Sequence, residues 1–126
     1  IGNQISLHAS GVGKAILASM PPKEAEAIIN RAGLRRFTTN TITDPEMLRQ
    51  ELEVIRREGF ARDREEHEVG VYCVAVPIAG PVRLAVSVSG PPARLTETEI
   101  MTRALPALRA AAEEIAPVIK AAMSNA

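Results

Sequence analysis

The stretch VYCVAVPIAGPVRLAVSVSG, residues 71–90, limits the possible folds more than any other part of the chain. It holds two β-rich runs, VYCVAVPI and VRLAVSVSG, joined across AGP. A parallel pair needs a crossover of a dozen or more residues, so the runs read as antiparallel neighbours. Alternation along a strand then sorts their side chains. Val74, Val76 and Ile78 share one face with Leu84, Val86 and Val88, and this face is expected to be core. The other face collects Val71, Cys73, Ala75, Ala85, Ser87 and Ser89, all small or short. Such a face leaves a space that either a closely packed helix or a ligand must fill. The sequence leaves both open.

Elsewhere the apolar period is that of helices. In LHASGVGKAILA, Ser10 is placed to cap a helix that runs through Ala15, Ile16, Leu17 and Ala18. Pro21-Pro22 ends this helix and starts a second, with Ala25, Ile28, Ile29 and Ala32 as its stripe and Gly33 as its stop. A Thr-rich connection, LRRFTTNTITDPEM, leads to a third helix with Asp44 as N-cap, Pro45 at N1 and Gly59 at C′. Leu48, Leu52 and Ile55 are its buried stripe. GFARDREEH alternates apolar and charged residues only briefly. After the strands, Thr96 and Glu99 form a capping box that opens a long helix to about Met123, with Leu105, Leu108, Ala112, Ile115 and Ile119 inward. Pro106 and Pro117 lie within it, and Pro106 is expected to kink or split it unless it falls near a helix start. The expected class is α+β, an antiparallel sheet flanked by helices.

Residues Leu7–Ala18 look at first like half of a phosphate-binding loop. That motif needs a glycine five positions before Gly-Lys and a hydroxyl directly after the lysine; here those positions are His8 and Ala15, so no nucleotide is implied. Gly11 and Gly13 nonetheless leave the first helical turn unshielded, with its free N–H groups at the positive end of a helix dipole. A carboxylate or phosphate fits there, and so does a glycine-rich helix start packed tightly on a sheet. Lys14 is expected to extend to solvent or to pair with a carboxylate.

Composition removes several classes. The 126 residues suffice for one domain with a core, and 46% are hydrophobic. Fifteen Lys and Arg balance fifteen Asp and Glu, with no Trp, one Tyr and two Phe; this lacks the basic, aromatic-studded surface that holds nucleic acid. A single cysteine, Cys73, excludes a disulfide framework, and no basic-then-apolar leader or 18-residue apolar run is present, so the chain reads as soluble and cytoplasmic.

Taken together, LHASGVGKAILA, GLRRFTTNTITD, GFARDREEHEVGVYCVAVPI and LAVSVSGPPARLTETE, in this order and spacing, resemble the effector-binding domain of IclR-family bacterial transcription regulators. The likeness is to the branch of the glyoxylate-bypass repressor, and DREEHEVGVYCVA with SVSGPPARLT is its specific part. The resemblance implies a GAF/profilin-like domain that binds a small carboxylate metabolite, glyoxylate- or pyruvate-like, between the glycine-rich helix start and the small sheet face. It implies backbone N–H groups from Gly11 and Val12, a polar wall of Asp63 and Cys73, an apolar contact from Val71, and hydrogen bonds from Ser87 and Ser89. Where this chain has Val12 the family usually has alanine or another small residue, which narrows the expected pocket. It further implies a homodimer or homotetramer, with DNA contacted only through a winged helix-turn-helix outside this chain, and with the domain's first strands also outside it. No cofactor, metal or catalytic group is expected.

Blander readings stand beside each of these residues. Asp63 lies in the run RDREEHE, ordinarily a solvated cluster. Cys73 fits a small buried hydrophobe, and Ser87 and Ser89 fit partners for backbone or water. His8 and His67 lack a metal-ligand spacing. An enzyme built on Cys73 or a serine with His8 or His67 and Asp63 lacks a nucleophile elbow. A dimerisation module with an open sheet edge is the third reading.

Overall fold

The computed structural model describes residues 6–124. Three helices come first: α1 (Gly11–Ser19), α2 (Pro22–Ala32) and α3 (Pro45–Glu58). Strands β1 (Ala61–Arg64), β2 (Tyr72–Ile78) and β3 (Leu84–Gly90) form a sheet of order β1-β2-β3. The described residues close with α4 (Glu97–Glu99), a π-helical turn (Ile100–Ala104) and α5 (Leu105–Ser124).

Local chemistry sets most of these limits. The Ser10 hydroxyl accepts the Gly13 N–H at 2.9 Å and starts α1, and the Asp44 carboxylate accepts the Glu46 N–H at 3.0 Å and starts α3. Gly59, at φ +84°, closes α3 in the left-handed region that an L side chain rarely adopts. In the last segment Thr96 caps as expected, but no uniform α-helix follows. Pro106 has no N–H for the oxygen of Thr102, and its ring crowds that carbonyl. The turn just before it widens, and the Leu105 N–H reaches the oxygen of Ile100. Pro106 therefore sits at the start of α5 after a π turn.

Both sheet pairings are antiparallel, and β2 and β3 pair Val74 with Val88, Val76 with Val86, Ala75 with Ser87 and Cys73 with Ser89. Two cores lie on opposite faces. Ala15, Leu17, Ala25, Leu48, Leu52 and Ile55 pack with Ala61 and Ala75 beneath α1, α2 and α3. Phe60, Val74 and Val76 pack with Leu95, Ile100, Leu105, Leu108 and Ala112 beneath α5 and the π turn.

Three expectations about burial are corrected. Leu84 and Val88 share the face of Val74 and Val76, yet they are 42% and 37% exposed. The reason is position: among the described residues β3 lies at one edge of the sheet, and the α5 core covers the middle of the sheet rather than that margin. Ala32, expected in the stripe of α2, is exposed, while Ala25 carries that contact. Ile115 and Ile119 are only half-buried because α5 runs beyond the sheet.

Candidate ligand site at the start of the first helix

The first turn of α1 is built by close approach. A Cβ on Gly13 would lie 2.4 Å from the backbone oxygen of Ser6 and 2.5 Å from Cα of Leu7, so only glycine lets the incoming chain cross here. A Cβ on Gly11 would lie 3.0 Å from the Cys73 sulfur and 3.5 Å from Cβ of Ala75. The helix start is thus tightly packed on β2, and Ala75 is completely buried under it. Its first-turn amides, those of Gly11 and Val12, have no intrahelical acceptor. Both readings of the small sheet face therefore hold in part. The helix covers Ala75 and most of Cys73, while Ser87 and Ser89, on the exposed strand β3, stay uncovered.

Those two serines face a cavity of about 280 Å³. All seven residues singled out from the sequence line it: Gly11, Val12, Asp63, Val71, Cys73, Ser87 and Ser89. They come from the start of α1, from β1 (Asp63), from the β1–β2 connection (Val71) and from the β2–β3 pair. Ser6, Ser10, His67 and Glu68 complete the lining and were not anticipated as site residues. His67 and Glu68 carried a signal in their position beside Asp63 in RDREEHE.

Asp63 is no member of a solvated cluster. It is 5% exposed, and its Oδ1 accepts the N–H of Glu66 at 2.8 Å. Burial pushes its carboxyl above the usual carboxylate range, and the Glu66 amide and then the Lys14 charge oppose the rise. Glu66 is buried too, and burial raises its carboxyl against the pull of Lys14. Lys14 does not reach solvent: it is 0% exposed and donates to the two oxygens of Glu66 at 2.8 and 3.0 Å, with Glu51 at 3.5 Å. Glu66 also accepts the N–H of Arg64 at 3.0 Å. Behind the loop, Thr41 donates to the Glu66 carbonyl and accepts the N–H groups of Phe37 and Thr38 at 3.0 and 2.9 Å. The turn itself needs Glu65 in the left-handed region, at φ +56°. The loop that follows Asp63 is thus anchored through Glu66 to α1 by a buried ion pair and to the Thr-rich connection by hydroxyls.

Burial raises the Cys73 thiol, with the hydroxyls of Ser89 and Ser87 opposing, so the sulfur stays protonated. His8 has both ring nitrogens engaged, Nε2 with the carbonyl of Arg35 at 2.7 Å and Nδ1 with the hydroxyl of Ser6 at 3.2 Å. Since a carbonyl only accepts, Nε2 carries the hydrogen. His67 packs on Phe37 with ring centroids 4.8 Å apart.

The family described as Bacterial transcriptional regulator IclR C-terminal has a model that matches residues 1–117. The chain belongs to this family. This IclR C-terminal domain is similar to the HTH-type transcriptional repressor AllR of Salmonella paratyphi A, at 43% identity over 106 residues, which is 82% of this chain and 39% of that repressor. The crystal structure of the Thermotoga maritima IclR superposes with a TM-score of 0.88 at 39% identity, covering 95% of this chain and 49% of that one. The inducer binding domain of PobR from Acinetobacter, a double mutant in complex with 3-hydroxy benzoic acid, superposes with a TM-score of 0.84 at 29% identity, covering 92% of this chain and 68% of that one. The domain thus spans 39% of the curated repressor it matches.

By their names, AllR is a transcriptional repressor and PobR a transcription factor.

Proposed function

We propose that this domain is the ligand sensor of an IclR-type transcription regulator and that it takes a small carboxylate, such as glyoxylate or pyruvate, in the cavity at the start of α1. One observation carries the reading: Gly11 and Val12, at the start of α1, and Ser87 and Ser89, on β3, line one cavity. Amides at a helix start and hydroxyls are the donors that suit a carboxylate. A volume of about 280 Å³ suits an acid of a few carbons, with Val12 and Val71 against its apolar end. The complex of the PobR domain with a carboxylic acid supports the same chemistry. In the full-length protein, a cytoplasmic homodimer or homotetramer, the bound metabolite shifts the arrangement of attached DNA-binding domains, a coupling of about 1–3 kcal/mol. DNA is contacted outside residues 1–126.

Calorimetric titration with pyruvate and glyoxylate tests the site. Each serine that donates to a carboxylate contributes roughly 1.5–3 kcal/mol, so Ser87→Ala and Ser89→Ala each weaken binding about ten- to a hundredfold. Both side chains face the open cavity, so unfolding free energy changes by less than about 0.5 kcal/mol. Loss of stability with unchanged affinity removes the serines from the site.

A further inference from the structure

If the cavity takes a carboxylate, as proposed above, that charge arrives beside a second one. Asp63 lines the cavity and is almost fully buried. Among the described residues no Lys or Arg lines the same space; its titratable groups are Asp63, Glu68, His67 and Cys73. The nearest buried cation, Lys14 of α1, is engaged by both oxygens of Glu66 and approached by Glu51 of α3. Arg62, next to Asp63 on β1, faces away and pairs with Glu58 and Glu97, and Arg64 is exposed. Two carboxylates sharing a small cavity without a free cation do not both stay ionised.

We infer that the cavity takes its carboxylate together with one proton, held on Asp63, whose neutral carboxyl then donates a hydrogen bond to the ligand. Solvent supplies the proton. Asp63 is the acceptor because it is the buried member of the set: His67 and Glu68 are exposed, so water screens them, and the Cys73 thiol is already neutral. Burial already lifts the Asp63 carboxyl before any ligand enters, which lessens the cost of the added proton.

Titration of the wild-type domain with pyruvate, repeated in two buffers of different ionisation heat and at several pH values, reads the proton directly. The expected result is uptake of up to one proton per pyruvate, with affinity falling by up to about tenfold per pH unit as pH rises above the raised value of the ligand-free Asp63 carboxyl. Asp63→Asn, a permanent donor that can still accept from the Glu66 amide, is expected to bind pyruvate with no proton uptake and to match or exceed wild type at the alkaline end. His67→Gln is expected to keep the wild-type pH dependence. Buffer-independent heats with a flat pH profile overturn the proton on Asp63 while leaving the carboxylate site intact. A His67→Gln variant that abolishes uptake moves the proton to His67 and overturns the assignment. Absence of pyruvate heat at every pH overturns both the inference and the reading on which it rests.

Discussion

Lys14→Met isolates what holds the two halves of the site together. Lys14 and Glu66 have side chains 0% and 7% exposed, and the ammonium meets both carboxylate oxygens within 3.0 Å. Methionine fills the space of the lysine stem but leaves Glu66 buried without its cation. Removing one partner of a buried pair costs about 3–5 kcal/mol, a large fraction of the roughly 5–15 kcal/mol that a domain has. Glu51 offsets none of this, since it too is acidic. Adding Glu66→Gln removes the stranded charge while keeping a carbonyl for the Arg64 N–H. The double variant is therefore expected to be more stable than Lys14→Met alone by about 1–3 kcal/mol. Urea unfolding followed by far-ultraviolet circular dichroism is the suitable assay, because the chain has no Trp to report by fluorescence. The reasoning fails if Lys14→Met unfolds within about 0.5 kcal/mol of wild type, or if the two substitutions add independently.

Two other outcomes follow from the same contacts. Gly13→Ala places a Cβ against backbone atoms of Ser6 and Leu7 that have no rotamer to escape through; a loss of more than about 2 kcal/mol in urea unfolding is expected, well above that of Gly11→Ala, whose closest contact is a sulfur. The Asp63 carboxyl is raised in the folded state, so the native domain binds more protons than the unfolded chain above the ordinary carboxylate pKa. Its contribution to stability is full below that pKa and is lost as pH rises through the higher folded value, and Asp63→Asn should flatten this part of a stability profile measured without ligand.

The readable elements are those whose signals are local. Asp44, Pro45, the Leu48, Leu52 and Ile55 stripe and Gly59 lie within one helix length, so cap, face and stop of α3 follow from spacing alone. The sheet faces were legible because a three-residue link leaves one pairing direction, and the observed register places Ser87 and Ser89 opposite Ala75 and Cys73. Burial of Leu84 and Val88 was not legible, since alternation assigns a face but does not say whether anything covers the margin of that face. Lys14 and Glu66 are 52 residues apart, and nothing in GVGK or RDREEHE marks them as partners. In the last helix Pro106 signalled an irregularity, but its form as a π turn depends on how the chain packs around Ile100 and Leu105. The site residues emerged from the family resemblance together with the small sheet face; composition alone pointed only away from nucleic acid.

The contacts divide the cavity wall into a stiff part and a loose part. Gly11 and Asp63 belong to one unit, because Lys14 on α1 is bound to Glu66, and the Glu66 amide is bound to Asp63. Among the described residues, Ser87 and Ser89 belong to β3, at one edge of the three-stranded sheet, where neither apolar flank at Leu84 and Val88 is fully covered. A strand with few buried contacts opens at lower free energy than a helix packed on all sides. A ligand that accepts hydrogen bonds from both walls therefore stabilises the edge strand against the helix more than it changes the helix itself. It shifts an equilibrium only by the difference in its affinity for the joined and loosened arrangements. For a carboxylate bound as proposed, that difference would reside in the two serines, since the amides of α1 are presented in either arrangement.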